Sequence, residues 1–268
     1  MAMYKILWRT RMVTRHKQIR ILSYNTKMMI LDKTAKQRAE MMLEHFVGYD
    51  IVCLQELFDE ERREQIEDSL SKNYGLENRT EGPYADWMAG QFVGGGLAIC
   101  THYDIIRCSS LKFGVEETVG SDALAAKGVS HALIAFDTKR SIHVFTAHLQ
   151  SGSTTKRTDA RWRQLRNTAE FIFQEIEGDE YPAILVGDLN VNATVDKDYY
   201  RLMSILVENV SVRMVKDMGQ REVTFERGSQ SLDYAILFEK KDEIEYSVEV
   251  KRGWHSSDHE ALQITLDL

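Results

Sequence analysis

The sequence predicts an α/β fold built on mixed β-sheets. Short runs of apolar and β-branched residues alternate with segments of helical periodicity along the whole chain. Some neighbouring runs lie too close together for a crossover helix, which indicates that parallel and antiparallel strand pairs occur together. No linker or repeat divides the 268 residues. We therefore expect one domain over residues 1–268, with residues 1–18 at its periphery.

Eight runs predict strands and four periodic segments predict helices. In chain order, the strands are residues 19–23, 51–54, 96–100, 133–136, 142–148, 183–187, 231–238 and 262–266. The helices are residues 33–47, 59–71, 158–177 and 197–207. The third helix has the clearest pattern, because Trp162, Leu165 and Ala169 recur at helical spacing.

The composition limits the class of protein. A formal net charge of −7 and a pI near 5.7 do not favour a protein that binds nucleic acid through a broad basic face. A nuclease is not excluded, because a bound divalent cation supplies positive charge locally. Cys53 and Cys100 lie inside apolar runs without CxxC spacing, which predicts buried thiols rather than a disulfide or a zinc site.

The N-terminal segment is basic and lacks the apolar core of a secretory signal. No apolar run approaches the ~20 residues that a membrane-spanning helix needs. We therefore expect a cytoplasmic monomer without a transmembrane segment, and export without a cleavable signal stays open.

Polar residues gather where the predicted strands end, and this is the most informative feature of the sequence. The clusters are Ser23-Tyr24-Asn25, Gln55-Glu56, His148-Leu149-Gln150, Gly187-Asp188-Leu189-Asn190 and Ser257-Asp258-His259, with Asp233 inside a further strand. In α/β folds, ligands bind at strand ends, because the sheet is rigid there and the loops are free to specialise.

The carboxylates and amides in these clusters fit a magnesium site. Mg²⁺ prefers hard oxygen ligands, usually one or two carboxylates with waters and phosphate oxygens. Glu56 follows an apolar strand directly, and Asn25 and Asp258 hold comparable positions. We predict that Glu56 binds Mg²⁺ with Asn25 and Asp258 as neighbours, and that Mn²⁺ or Co²⁺ can replace it.

The remaining polar residues fit the cleavage of a phosphate ester. His148 and His259 supply a positive or hydrogen-bonding clamp for the transition state. Asp188 is a candidate to deprotonate or orient the attacking water, and Asn190 to orient that water or the phosphoryl group. Asp233 is a candidate to fix the tautomer of a catalytic histidine.

Each cluster alone has a simpler interpretation. An acidic residue after a strand is more often a helix cap or a turn residue than a ligand. The stretch 187–190 alone fits a turn, and a lone His148 is more often an interior histidine with satisfied hydrogen bonds. The clusters together, in this order, favour a functional site.

In their order and types, these residues resemble the signature of the endonuclease/exonuclease/phosphatase superfamily, from Asn25 to His259. The resemblance implies a four-layer αββα sandwich built on two packed mixed sheets. It implies Glu56 as the principal Mg²⁺ ligand with help from Asn25, and His259 as a general base or phosphate clamp paired with Asp233. It also implies that His148 stabilises the transition state, while Asp188 and Asn190 act on the nucleophile and the phosphate.

Three segments resemble the sphingomyelinase branch of that superfamily. Residues 146–151 are similar to its His-Leu-Gln-Ser/Ala segment, residues 122–129 to its Asp-to-Lys loop, and residues 94–99 to its strand after a glycine turn. Lys127, restrained by Asp122, is suited to bind the phosphate as a point charge. The simpler interpretation of Lys127 is a solvent-exposed lysine. The resemblance implies a Mg²⁺-dependent, phospholipase C-type hydrolase that releases phosphocholine from sphingomyelin or a related phospholipid by in-line attack of water.

A nuclease acting on DNA or RNA is the alternative, since the core chemistry is identical. An abasic-site endonuclease would carry Gln-Glu-Thr-Lys where this chain has Gln-Glu-Leu-Phe at 55–58. A 5-phosphatase would carry Cys-Asp-Arg where this chain has Ser-Asp-His at 257–259. A non-catalytic relative should have lost Glu56, His148, Asp188 or His259, and none is missing.

Contact with a membrane would have to come from loops. Secreted haemolytic sphingomyelinases carry a hydrophobic hairpin before the final Asp-His, whereas residues 239–252 of this chain are rich in charge. The loop 84–92 is a candidate for peripheral contact with a lipid interface through Tyr84, Trp87, Met88 and Phe92. Packing of this loop against a sheet edge is the simpler alternative.

Overall fold

The computed structural model describes residues 18–80, 82–219, 221–225, 229–241 and 244–268. Over these residues the strands are β1 (Gln18–Met28), β2 (Ile51–Leu57), β3 (Asn78–Arg79), β4 (Ala98–Thr101), β5 (Asp104–Lys112), β6 (Gly128–Ala135), β7 (Ser141–His148), β8 (Ala183–Asp188), β9 (Met214–Asp217), β10 (Asp233–Glu239), β11 (Glu245–Lys251) and β12 (Ala261–Asp267). The α-helices are α1 (Ala35–Leu43), α2 (Glu60–Tyr74), α3 (Thr155–Ile176) and α4 (Asp196–Asn209). Of the segment expected at the periphery, residues 1–17 lie outside the described residues, and Gln18 is the first residue of β1.

The strands form two six-stranded mixed sheets, as predicted. The first has the order β11-β12-β1-β2-β4-β3, and the second has the order β5-β6-β7-β8-β10-β9. In each sheet one central pair is parallel, β1 with β2 and β7 with β8, and the described partners on either side are antiparallel. A helix connects each parallel pair, α1 in the first sheet and α3 in the second, as a parallel crossover requires.

Three apolar clusters hold the layers together. The first lies between the sheets and includes Ile21 and Ile51 from one sheet and Val144 and Ile184 from the other. The second packs α1 and α2 on the outer face of the first sheet, and the third packs α3 and α4 on the outer face of the second. The order of layers is therefore helices, sheet, sheet, helices. The four-layer αββα sandwich implied by the resemblance is confirmed.

The strand directions bring six polar ends to one edge of the sandwich. Parallel β7 and β8 end together, with His148 opposite Asp188. Because β10 runs antiparallel to β8, its first residue, Asp233, lies opposite Asp188 as well. Strand β12 runs antiparallel to β1, so that His259, just before β12, reaches the edge at which β1 and β2 end.

The predicted strands and helices are all present, with ends shifted by a few residues. The four strands that the sequence did not predict are β3, β5, β9 and β11, and these are the four edges of the two sheets. Edge strands need no continuous apolar run: β5 and β11 alternate exposed and half-buried residues along most of their length.

The cysteines and the helices bear on two further expectations from the sequence. Cys53 and Cys100 are buried free thiols, as predicted, whereas Cys108 on β5 is exposed. Within the described part of the chain, the helices are too short or too polar for any of them to cross a membrane.

Candidate active site

Three polar side chains from three strands meet at the edge of the sandwich. The amide Nδ2 of Asn25 donates to Glu56 Oε1 and to Asp188 Oδ2, each at 3.1 Å. Asn25 and Asp188 are buried, whereas Glu56 is partly exposed. The structure therefore brings Asn25 to Glu56, as the sequence predicted, and adds Asp188 from the other sheet.

The backbone at Glu56 departs from regular strand geometry. Glu56 has φ 58°, in the left-handed region that L-residues rarely adopt. The register between β1 and β2 also shifts here, between Asn25 and Met28. Gly96 provides the necessary space, because a Cβ at that position would lie 2.9 Å from the Phe58 ring and 3.0 Å from Leu57 N. This accounts for glycine at position 96.

The stretch 187–190 is a turn and also part of the site. A Cβ on Gly187 would lie 2.3 Å from Ala147 O, so a side chain there would push β7 and β8 apart. Asn190 adopts φ 53°, its backbone N donates to Asp188 Oδ1 at 2.8 Å, and its Nδ2 donates to Leu149 O at 3.1 Å. Asn190 thus fixes the Asp188 carboxylate, and its predicted contact with phosphate stays a prediction.

Lys127 is buried against His148. Its ammonium Nζ donates to His148 Nε2 at 3.0 Å and to Leu149 O at 2.9 Å, and it forms an ion pair with Asp122 Oδ2 at 2.7 Å. Since Lys127 is 2% exposed, the interpretation as a solvent-exposed lysine is wrong. Burial, and secondly the Lys127 ammonium, hold the pKa of His148 well below its ordinary value. The imidazole is therefore neutral, and its Nε2 accepts a hydrogen bond from the lysine ammonium.

The Asp122 carboxylate is held from several directions. It accepts hydrogen bonds from Ser151 N at 2.8 Å, from Ser151 Oγ at 3.1 Å and from Gln150 Nε2 at 3.0 Å. Although burial opposes it, the Lys127 ammonium holds the pKa of Asp122 below its ordinary value. The predicted restraint of Lys127 by Asp122 is confirmed. Residues 150 and 151 hold the Asp122 carboxylate in position.

Arg161, on α3, was not among the residues that the sequence predicted for the site. Its Nη1 donates to Gln150 O and to Gly152 O, each at 2.8 Å, and its side chain is buried. Arg161 therefore holds the segment that positions Asp122. Its location next to Trp162, on the buried face of a helix, was the available signal, because an arginine there needs acceptors.

His259 and Asp233 form the pair that the sequence predicted. Nδ1 of His259 lies 2.8 Å from Asp233 Oδ2, while its Nε2 lies 3.7 Å from Asp188 Oδ2. Burial alone lowers the pKa of an imidazole, but the Asp233 and Asp188 carboxylates outweigh burial and raise the pKa of His259 to about 10. His259 is therefore an imidazolium at neutral pH.

Asp188 is the most strongly perturbed carboxyl group of the site. Burial, together with the neighbouring Asp233 and Glu56 carboxylates, raises its pKa to about 7, against the opposing effect of His259. The Asp188 carboxyl group therefore gains and loses its proton near physiological pH. Buried carboxylates that face one another favour the binding of a cation, which relieves their repulsion.

The structure does not include Asp258 in the group of potential metal ligands, and its predicted place beside Glu56 at a metal site stays a prediction. Lys27 Nζ donates to Asp258 Oδ2 at 2.6 Å, and both residues line a separate polar cavity of about 380 Å³ with Arg38 and His255. Among the described residues, one group of acidic, histidine and cysteine side chains has ligand atoms within 4.8 Å of one another. Its members are Glu56, His148 and Asp188.

A cavity of about 360 Å³ opens directly onto these catalytic candidates. On one side it is lined by Glu56, Asp122, Lys127 and His148. Its other walls are mainly apolar: Met29, Ile30, Phe58, Val93, Leu124 and Ala125. The sequence did not predict this apolar wall, because its members come from four separate loops that carry no shared motif.

Comparisons with known proteins show the family and agree with the fold. A family model described as Endonuclease/Exonuclease/phosphatase family matches residues 22–206. A sphingomyelinase of Dictyostelium discoideum is 30% identical over 73% of this chain and 52% of the relative. Sphingomyelinase C of Bacillus cereus is 28% identical over 58% of this chain and 50% of the relative. The chain thus spans about half the length of the curated relatives that it matches.

A solved structure supports the fold independently. The structure is a double mutant of beta toxin from Staphylococcus aureus with bound magnesium ions. It superposes with a TM-score of 0.77 at 18% identity, covering 92% of this chain and 99% of that chain.

Proposed function

The chain belongs to the endonuclease/exonuclease/phosphatase family, and we propose that it is a Mg²⁺-dependent phosphodiesterase that hydrolyses sphingomyelin or a related choline phospholipid. The sphingomyelinases among its relatives support this substrate class. One observation carries the preference for a lipid over a nucleic acid: the cavity next to Glu56, Lys127 and His148 has predominantly apolar walls. The net charge of −7 points in the same direction.

The donor set fits Mg²⁺. Glu56 and Asp188 place carboxylate oxygens within 4.8 Å of each other, and Nδ2 of Asn25 donates to both, so Asn25 orients the two carboxylates. We propose that Glu56 is the principal ligand, with Asn25 and Asp188 beside it. Mg²⁺ held there would polarise a phosphate oxygen and offset the negative charge that develops during cleavage. The magnesium ions bound to the related beta toxin structure agree with this choice of metal.

The cations of the site are placed to bind the phosphodiester. The Lys127 ammonium borders the cavity and is fixed by Asp122, so it acts as a point charge at a set position. His259 carries a proton and lies across Asp188 from His148. The charge of His259 favours the phosphate clamp over the general base, the two roles that the family resemblance left open.

Asp188 is the better candidate for the general base. Its raised pKa lies near physiological pH, where a base removes a proton most effectively. In the proposed step, a water oxygen attacks phosphorus and its proton passes to Asp188. The bond between phosphorus and the lipid oxygen then breaks, and the lipid alkoxide takes up a proton from solvent. Lys127 stabilises the equatorial oxygens of the transition state, and the neutral His148, whose Nε2 accepts a hydrogen bond from the ammonium, holds that charge in place.

An assay of two substrates tests this proposal. Sphingomyelin micelles and plasmid DNA are incubated with the protein in Mg²⁺ or in EDTA, and phosphocholine release and DNA nicking are measured. We expect release of phosphocholine in Mg²⁺ only. The Glu56→Gln variant should be inactive, whereas Glu44→Gln, which changes an exposed glutamate near the end of α1, should act as the wild type. Nicking of DNA without release of phosphocholine would overturn the lipid assignment.

A further inference from the structure

We propose that apolar side chains from three loops around the catalytic cavity form a surface that docks on a phospholipid bilayer. This inference rests on the proposed function, because it takes the substrate to be a membrane lipid. The surface, here called the apolar rim, consists of Met29, Ile30, Leu31, Trp87, Met88, Phe92 and Leu124. One of its loops, 84–92, is the candidate for lipid contact that the sequence predicted. The other two loops were not predicted to contact lipid.

The rim exposes large apolar side chains to an unusual extent. Leu31 is 91% exposed, Trp87 is 72% exposed and Met88 is fully exposed. Clustered apolar side chains of this size on a surface mark an interaction site, whereas single ones need no explanation.

The three loops that carry the rim meet at the cavity. Met29, Ile30 and Leu124 line the cavity wall. Phe92 N donates to Leu124 O at 2.8 Å, which joins the second loop to the third. The Trp87 and Phe92 rings pack edge to face at 5.7 Å. The rim therefore continues the apolar wall of the cavity outward, from the catalytic residues to the protein surface.

The two projecting loops are held in place by hydrogen bonds. Asp86 Oδ1 accepts from Met88 N at 3.1 Å and from Ala89 N at 3.3 Å, which fixes the turn that carries Trp87 and Met88. On the other loop, Asp32 accepts from Thr34 and from Arg38, directly after Leu31. The protein thus projects these side chains outward on ordered turns.

The chemistry of the rim fits an uncharged lipid surface. Residues 29–31 and 87–92 contain no charged residue, so attraction to anionic lipids has no source in these segments. Tryptophan and other large apolar side chains insert at the boundary between headgroups and acyl chains. A bilayer on the rim would also supply the substrate of the adjoining cavity, whereas a protein on the rim would cover the cavity. We therefore assign a zwitterionic bilayer as the partner.

Vesicle sedimentation tests this surface apart from catalysis. The full chain is mixed in EDTA with phosphatidylcholine vesicles, and the bound fraction is measured for the wild type and for the double variant Leu31→Ser, Met88→Ser. We expect the double variant to bind at least tenfold more weakly. The control double variant Ile106→Ser, Val207→Ser changes two side chains that are 59% and 56% exposed outside the rim. The control should bind as the wild type, and equal binding by all three proteins would overturn the proposal.

Turnover separates this inference from the proposed function. The rim variant should hydrolyse sphingomyelin in vesicles at least tenfold more slowly than the wild type, and should hydrolyse the water-soluble diester bis(p-nitrophenyl) phosphate at the wild-type rate. If the wild type binds vesicles through the rim but cleaves neither substrate, the proposed function fails and the docking surface stands. If the wild type self-associates and the rim variant is monomeric, a second copy occupies the rim and the docking proposal fails.

Discussion

Nζ of Lys127 lies 3.0 Å from Nε2 of His148, with both side chains buried. The contact sets the protonation of the histidine, because the ammonium donates to Nε2 and opposes a second positive charge on the ring. Nδ1 of His148 is buried and, among the described residues, has no hydrogen-bond partner. A neutral imidazole and a fixed ammonium therefore face the cavity together.

Replacement of Lys127 should change both the titration of His148 and the rate. In Lys127→Met, the pKa of His148 should move up towards its ordinary value, without reaching it, because burial remains the larger cause. The loss of a point charge on the phosphate should lower kcat by about 10²–10³-fold. Nuclear magnetic resonance of the imidazole and steady-state kinetics measure the two effects. An unchanged His148 titration would contradict the assigned contact.

His259→Gln should lower kcat by about 10²–10⁴-fold, because the charged clamp is lost. Glutamine is preferable to alanine for this test, since Asp233 is buried and would lose its partner in His259→Ala. Asp233→Asn should have a smaller effect, since the ring stays in place. Circular dichroism confirms folding, and activity at the wild-type level in His259→Gln would refute the assigned role.

The stability of the metal-free protein should depend on pH through the His259–Asp233 pair. The pKa of His259 is higher in the folded protein than in the unfolded chain, where it is near 6.5. The pair therefore makes its full contribution to stability below pH 6.5. This contribution is lost as the pH rises through about 10. The free energy of unfolding of the wild type should exceed that of Asp233→Asn by about 3 kcal/mol at pH 6.5, with the gap narrowing towards pH 10. Urea denaturation in EDTA measures the gap, and a gap that widens with pH would contradict the assignment.

The pH dependence of kcat/KM should reflect the Asp188 carboxyl and the His259 imidazolium. Activity should rise as Asp188 loses its proton, at a pH of about 7 or below, because Mg²⁺ stabilises the carboxylate. It should fall at alkaline pH as His259 loses its proton, so the profile is bell-shaped. Removal of the imidazole in His259→Gln should abolish the alkaline limb. If the alkaline limb persists in the variant, another group causes the loss of activity at alkaline pH, and the assignment to His259 is wrong.

Much of the site could be predicted from the sequence, because its residues follow apolar strands directly. His148 lies at the end of a run that alternation and β-branching identify, Asp188 lies one position beyond such a run, and Asn25 and Glu56 lie two positions beyond. Strand direction then brings them to one edge. The pairing of His259 with Asp233 followed from the types of the residues.

The features that the sequence did not predict depend on contacts between distant loops. Asp258 is held by Lys27, 231 residues away in the chain, and no pattern indicates which lysine will reach it. The apolar wall of the cavity is likewise assembled from separate loops, including Met29 and Leu124. Edge strands such as β5 were missed because a strand with one solvated face and one unpaired edge needs few apolar residues.

Hydrolysis of sphingomyelin in water enriched in ¹⁸O tests the central claim most directly. The wild type and Glu56→Gln are incubated with the lipid in Mg²⁺ or EDTA, and the products are identified by mass spectrometry. We predict phosphocholine that carries one ¹⁸O atom, formed by the wild type in Mg²⁺ alone, with no label in the ceramide. Phosphocholine formed equally in EDTA or by Glu56→Gln, or label in the ceramide hydroxyl, would contradict metal-dependent attack of water on phosphorus at this site.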